Sequence, residues 1–522
     1  MADDLPALSF PELIIGVAGP IGADMDSLCN ELIASLNEVR YRAHPIHVTS
    51  HILDYPVAGV TSDGADYFSQ VMYKMDYANR LCADADDPAY LMRIAIQQIG
   101  LVRDALIRRT YPSRSGDDLP KVLPNQAYVI RQLKRPDEVR LLRKVYGKQF
   151  ILVSAYGSED HRRDRLTDKI KDSLPMSTKV EEIAFKVERA ITRDQDEGAD
   201  ESGQHLRDTY HLADVFVDGI NKDQMRAGLD RFFQAFFGKN EIGPSKIEYG
   251  MYAAKAASIR STDLSRQVGA AIFNLDGDLI SQGCNEVPRA FGGTYWSGEE
   301  PDFRDVKLGY DPNDHLKKGV IRDLMERLST ADFLSDEYKR FDDFEKLVDF
   351  LLGRDKDREK DTNFGCLKNS QVNDLTEYGR VVHAEMVAIC DAARLGKAVK
   401  NTHLFVTTFP CHNCTKHIIV SGIKSVVYME PYPKSRAKQL HKNEIEIEKS
   451  SETRVSFVPF LGISPFRYRD IFEKGARKAS GKAKEWYYGE PRPMIDVSAP
   501  AYLTIEPLEI SKLGGSVQPR LL

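Results

Sequence analysis

Apolar positions along this chain fall into two alternating patterns. Short unbroken apolar runs read as buried strands, and apolar residues three and four apart read as helix faces that pack on them. Leu13–Ala18 is the first such run. It ends in Gly19-Pro20-Ile21-Gly22, and a helix is predicted over Met25–Leu36 with Leu28, Leu32, Ile33 and Leu36 on one face. Ala127–Ile130, Phe150–Ala155 and Leu212–Val217 repeat the strand pattern, with helices predicted over Pro136–Arg143 and Met225–Phe237. Strands alternating with helices in this way predict a parallel sheet joined by right-handed crossovers. Gly238–Gly243 breaks the pattern and sets a boundary, so residues 1–240 read as one α/β domain.

The second half has a different order. Ala253–Ile259 reads as a helix, and Val268–Phe273 with Leu279–Ser281 as a hairpin turning at Asp276-Gly277-Asp278. Val381–Leu395 is an apolar helix pattern stopped by Gly396. A strand over Thr402–Thr408, a helix from Cys411 to Gly422 and a strand over Ser425–Met429 follow. A domain over residues 241–465 results, interrupted by an irregular insertion at about 298–379. The insertion holds helical stretches (Val320–Leu328, Phe341–Leu352) and the charged run Arg354–Asp361. It reads equally as a lid over a site, an oligomer contact or a passive surface insert. Residues 466–522 form a C-terminal extension. Tyr468, Phe472 and Trp486 suit packing on the body, and the Pro-rich stretch from Pro491 suits reaching over a neighbour. Asp194–Gly203 is acidic and apolar-poor, the composition of an exposed loop.

Composition narrows the class. The chain has 522 residues, 42% hydrophobic and 29% charged, with a net charge of −6 and no basic block. Gripping a polynucleotide favours a positive face, so bulk charge argues against DNA or RNA as the partner. No run approaches the roughly eighteen apolar residues of a membrane span. The opening Met1-Ala2-Asp3-Asp4-Leu5 lacks the basic segment of a secretory signal. Of seven cysteines, Cys29, Cys82, Cys284, Cys366 and Cys390 show no disulfide-framework spacing. A cytoplasmic location is the expectation.

The remaining two cysteines carry the chemistry. His383-Ala384-Glu385 and Pro410-Cys411-His412-Asn413-Cys414 have the H-x-E and P-C-x-x-C spacing of zinc nucleobase deaminases. Catalytic zinc takes three protein ligands and keeps an open position for water. His383 supplies an imidazole, and Cys411 and Cys414 supply thiolates from the first turn of a helix, whose dipole favours the anion. Glu385, two residues past His383, can shuttle protons without ligating the metal. A structural zinc ribbon would need two further ligands at matching spacing.

The glycine turn after the first strand can cradle phosphate with backbone N–H groups, which makes Gly16, Gly19 and Gly22 candidate nucleotide contacts. Ala23 and Asp24 follow Gly22 where a phosphate-binding loop carries Lys and Ser/Thr, so phosphoryl transfer is not expected. A tight turn that binds nothing is the competing reading.

Beyond these residues the chain resembles known families. Ser261-Thr262, Arg266-Gln267-Val268-Gly269-Ala270 and Gly283-x-Asn285-x-x-Pro288 resemble the deoxycytidylate deaminase family. The resemblance implies a cytidine-deaminase α/β/α fold, with Asn285 contacting the sugar and the backbone near Ala384 holding the base. Arg266 is a candidate phosphate ligand, since a guanidinium fork suits phosphate oxygens. In the loop Glu430–Ser435, Tyr432 is a candidate to stack on the base and Lys434 to hold phosphate. Each of these has a structural alternative as a turn or surface residue. Strand, Arg-x-Pro-x-Glu helix, strand and the cluster Arg162-Arg163-Asp164-Arg165 resemble P-loop nucleotide kinases. Together the two halves resemble bacterial anti-phage proteins that fuse a degenerate P-loop kinase-like domain to a deaminase. That resemblance implies a zinc-dependent deaminase of dCTP and dCMP, a homo-oligomer, and a regulatory nucleotide or RNA at the N-terminal domain. Two alternatives stay open: a polynucleotide cytidine deaminase, and a nucleotide-sensing module with a structural zinc site.

Overall fold

The computed structural model describes residues 9–514 except 63, 196–205, 340, 342, 376, 433, 485–491 and 496–499. Most of the acidic stretch 194–203, Trp486, Pro433, the chain start and much of the Pro-rich tail lie outside the described residues. The chain divides into two compact units. One comprises residues up to Glu248 together with those from Pro459 onward, and the other is Tyr249–Val458.

The first unit is built on β1 (Leu13–Ala18), β2 (Arg42–Ile46), β3 (Gln126–Leu133), β4 (Phe150–Tyr156) and β5 (Val215–Asp218). They pair in parallel in the order β5-β4-β1-β3-β2. Every residue of β1 is buried, which is why its pattern is unbroken rather than alternating. Gly16 lies within this strand, where an added Cβ would come 3.0 Å from the Phe150 ring. The unit's longer helices are α1 (Met25–Glu38), α2 (Tyr67–Asp84), α3 (Tyr90–Thr110), α4 (Pro136–Tyr146), α5 (Glu159–Asp172), α6 (Val180–Gln195) and α7 (Lys222–Phe236).

The C-terminal stretch belongs to this unit. Gly462–Ile463 adds an antiparallel edge to β5. Arg467 pairs with Asp214 at 3.2 Å and donates to the carbonyl of Phe150 at 3.1 Å. The helix Tyr502–Ile510 is pinned by a buried polar network. Arg103 donates to Glu12 (2.9 Å) and to Glu506 (2.7 Å), while Tyr502 donates to Glu12 (2.8 Å) and Tyr146 to Glu506 (2.8 Å). Buried charges persist only when paired and hydrogen-bonded in this way.

The second unit opens with α8 (Lys246–Ser258), of which Tyr249 onward belongs to it. Its strands are β6 (Gly269–Phe273), β7 (Leu279–Cys284), β8 (His403–Thr408), β9 (Ser425–Glu430), β10 (Ile445–Ile447) and β11 (Val455–Pro459). The sheet order is β7-β6-β8-β9-β11-β10, with the β6–β7 hairpin antiparallel and β8 parallel to β9. The insertion contributes α9 (Pro312–Thr330) and α10 (Phe344–Leu351), which bury Ile321 against Val348 and Leu352. Helix α9 begins well before the predicted Val320, because Asp311 caps it through the Asn313 N–H and Pro312 takes its first position. The site helices are α11 (Ala384–Arg394) and α12 (His412–Ser421).

At the glycine turn the polar groups are already engaged. Asp24 caps α1, accepting the Ser27 N–H at 3.1 Å, and pairs with Arg165 at 2.9 Å. Burial works against its ionisation, but the bonds from Arg165 and Ser27 win and hold the carboxyl down at about 2. Asn keeps the cap and removes the charge, so Asp24→Asn should lower the urea-unfolding free energy at neutral pH by about 1–2 kcal/mol. The folded value is depressed, so the charge contributes above the ordinary value of 3.8 and is lost as pH falls toward about 2. The wild-type advantage should therefore close across that window.

Candidate active site

His383 is the residue just before α11, in extended backbone geometry, and Cys411 stands in the same relation to α12. Parallel strands β8 and β9 place the start of α12 at the carboxyl end of β8. Helix α11 reaches the same end by lying close over β7. Gly283 permits this approach, since a Cβ there would fall 2.5 Å from the Ala384 carbonyl oxygen and 2.7 Å from the Ala388 nitrogen. The Ser281 hydroxyl donates to the Ala388 carbonyl at 2.8 Å and ties the helix down further along.

The result is a three-donor cluster. His383 Nδ1 lies 3.4 Å from Cys411 Sγ and 3.4 Å from Cys414 Sγ. Among the described residues, these three form the one His/Cys/Asp/Glu group close enough to share an ion. Tetrahedral zinc with bonds of about 2.3 Å to sulfur and about 2.1 Å to nitrogen has sulfur–nitrogen edges of about 3.6 Å. The donor spacing matches that edge, so the residues fit zinc with one position open. Electrostatics agree. With only protons in the cluster, the bond from Cys414 holds the Cys411 thiol down at about 4, with His383 adding to it against burial. The bond to Cys411 pushes His383 up to about 9, and the same thiolate together with burial drives Cys414 well above the ordinary thiol range. A thiolate thus sits between two protonated groups, and a dication can replace those protons.

Glu385 is 3% exposed. Burial raises its carboxyl to about 7, opposed by His383 and reinforced by the Cys411 thiolate. A carboxyl that exchanges its proton near neutral pH is suited to shuttling protons.

The cluster opens on a cavity of about 220 Å³. Arg266, Asn285, Ala384, Tyr432 and Lys434 all line it together with His383, Glu385 and Cys411, whereas Gly16, Gly19 and Gly22 belong to the other unit. Asn285 is committed to the protein. Its Oδ1 accepts the Val268 N–H (2.7 Å), and its Nδ2 donates to Asp263 (2.6 Å) and to the Arg266 carbonyl (2.6 Å). Only an acceptor lone pair remains for a ligand. The cavity's cations are paired: Arg266 with Glu430 at 2.9 Å, Lys434 with Asp374 at 2.7 Å, and Arg380 with Asp305 at 2.8 Å.

Sequence reasoning missed several wall residues. Asp305, Asp311, Asn313, Asp374 and Arg380 come from the insertion or its end, which therefore walls the cavity. Arg380, three residues before His383, could have been found by proximity; the others carry no local signal. Asp263 lay within the motif already noted, between Thr262 and Arg266.

In the first unit the glycine turn is closed by the chain itself. The Ile21 N–H donates to Asp194 at 2.7 Å, and Lys134 donates to Asp194 at 2.6 Å and to the Gly19 carbonyl at 2.8 Å. Gly22, at φ +90°, lies against the Arg162 backbone.

The second unit thus presents one imidazole and two thiols that could hold a metal ion, beside a buried carboxyl. Residues 244–430 match the cytidine and deoxycytidylate deaminase zinc-binding region. The deoxycytidylate deaminase of Enterobacteria phage T4 is 46% identical over 55 residues, and that of Homo sapiens 43% over 54. These matches cover 10% of this chain and 28–29% of the relatives, so the chain spans less than a third of their length. A solved dCMP deaminase from cyanophage S-TIM5, in complex with dCMP and dUMP, aligns at 17% identity with a TM-score of 0.22. That alignment covers 42% of this chain and 100% of the other.

Removing one thiolate should empty the site. Cys414→Ser is expected to lower zinc from about one equivalent per chain toward none by inductively coupled plasma mass spectrometry. Full zinc retention would contradict the ligand assignment.

Proposed function

We propose that this chain hydrolytically deaminates free deoxycytidine nucleotides, converting dCTP or dCMP to the deoxyuridine nucleotide and ammonia. The observation that carries this reading is the His383–Cys411–Cys414 cluster beside a buried carboxyl, Glu385, in a cavity of about 220 Å³ edged by cations. The match of residues 244–430 to a deaminase zinc-binding region supports it.

His383, Cys411 and Cys414 would hold zinc, which would supply an activated water by lowering its pKa toward neutrality. Glu385 takes a proton from the attacking water and delivers it to the ring nitrogen N3. It then takes the proton of the hydroxyl newly bonded to C4 and passes it to the amine there. A C4–O bond forms, the C4–N bond breaks and ammonia departs. The Ala384 backbone orients the base and Tyr432 stacks on it. Asn285 holds the 263–268 segment in place and offers its remaining lone pair to the sugar. Arg266 and Lys434 exchange Glu430 and Asp374 for the substrate's phosphates. The resemblance to anti-phage fusion proteins supports a role in draining dCTP from a replicating phage.

Two measurements test this. Glu385→Gln keeps shape and zinc but removes the proton carrier, so ammonia release from dCTP and dCMP should fall by about 10²–10⁴-fold. Undiminished turnover would refute the mechanism. Lys434→Ala should raise KM about tenfold for the nucleotides while leaving turnover of deoxycytidine nearly unchanged. Equal loss on the nucleoside, or faster reaction with single-stranded DNA than with either nucleotide, would refute the phosphate assignment.

A further inference from the structure

The first unit contains a second cavity, of about 790 Å³, at the amino ends of β2 and β3. Its volume falls within the range of small-molecule sites, about 300–1,000 Å³. Arg40, Arg42 and Arg109 line it, with His44, Phe10 and Tyr111. No carboxylate is among its lining residues, and none of the three arginines makes an ion pair among the described residues. This is unusual in a chain with 78 acidic and 72 basic residues. Elsewhere in the same unit Arg226 alone gathers Glu31, Glu38 and Asp230. Three like charges around one hollow repel one another and concentrate positive potential there, which draws anions.

The hollow is also built to hold its shape. Arg40 and Asn125 take left-handed backbone conformations, at φ 63° and 60°. Hydrogen bonds tie these segments together: Arg42 N–H donates to the Asn125 carbonyl at 2.8 Å, and Asn125 N–H to the Phe10 carbonyl at 3.3 Å. The Gln126 amide donates to the Pro124 carbonyl at 2.7 Å, which turns its oxygen toward His44 Nε2 at 2.8 Å. Two aromatic rings stand at the wall, each covered by a further arginine. Arg114 lies 4.8 Å from the Tyr111 centroid and Arg492 lies 5.5 Å from that of Phe10.

We propose that this cavity binds a nucleoside polyphosphate, with Arg40, Arg42 and Arg109 taking the phosphates and Phe10 and Tyr111 flanking the base. Guanidinium forks match phosphate oxygens, and aromatic rings accept any base by stacking. The size of the hollow matches one small ligand. The cavity is distinct from the glycine turn, which follows the carboxyl end of β1 and is closed by Asp194. It lies wholly in the first unit, so it stands or falls independently of the deaminase reading.

The test is hydrogen–deuterium exchange on the full chain with ATP, which carries no cytosine, at up to about 1 mM, the weak end of useful affinity. ATP is expected to slow exchange in residues 40–44, 106–111 and 123–126. The exposed pair Arg42→Gln and Arg109→Gln should abolish that protection and weaken ATP binding by calorimetry at least about tenfold. Absence of protection, or unchanged affinity in the double variant, overturns the site. Inorganic tripolyphosphate protecting as strongly as ATP overturns the nucleoside part of the assignment. Protection by a short single-stranded oligonucleotide but not by ATP overturns it in favour of a polynucleotide.

Discussion

The site of the second unit rests on one imidazole brought within 3.4 Å of two thiols. The donors come from the starts of two helices separated by a strand, and neither helix could place them alone. Close seating of α11 over β7 does most of the work. It depends on Gly283 having no side chain, because the Ala384 carbonyl occupies the space that a Cβ would need. The same seating buries Glu385, and burial is what lifts its carboxyl to about 7. Donor spacing and proton affinity are therefore two consequences of one packing contact.

The cavity around that cluster is electrically balanced rather than simply basic. Arg266, Arg380 and Lys434 each lean on a carboxylate, two of which (Asp305 and Asp374) come from the insertion. Any anion entering the cavity would have to compete with those carboxylates, so its binding energy would be a difference between two ion pairs. Exposed pairs of this kind hold by about 0–1 kcal/mol, which leaves the exchange facile. The insertion has its own apolar anchor around Ile321, Val348 and Leu352, so its wall residues are presented by a packed element.

The first unit shows two opposite ways of handling anion-attracting structure. At the glycine turn, the backbone N–H of Ile21 and the ammonium of Lys134 are satisfied by a buried internal carboxylate, Asp194. At the amino ends of β2 and β3, arginines face a hollow that holds no acid. Internal neutralisation makes the first a structural joint. Its absence makes the second a receptive surface.

Strands β1, β3, β4, β8 and β9, helices α1, α4 and α12 and the residues of the His/Cys/Cys cluster were legible in the chain itself. Burial on both faces writes unbroken apolar runs, and helix starts bearing metal donors write short, fixed spacings. These are local constraints, and a linear sequence carries local constraints intact. β2 escaped notice because it is an edge strand, Arg42–Ile46, interrupted by Pro45 and only partly buried. The long-range choices belonged to tertiary structure alone. It returned the chain from Pro459 to the first unit, through the pairing of Gly462–Ile463 with β5 and of Arg467 with Asp214. It set Asp374 against Lys434, sixty positions apart in the chain, closed the glycine turn with Asp194 from far downstream, and left Arg40, Arg42 and Arg109 around one hollow. Such partners are chosen by which surfaces meet when helices and sheets pack, and no periodicity or spacing along the chain encodes that meeting.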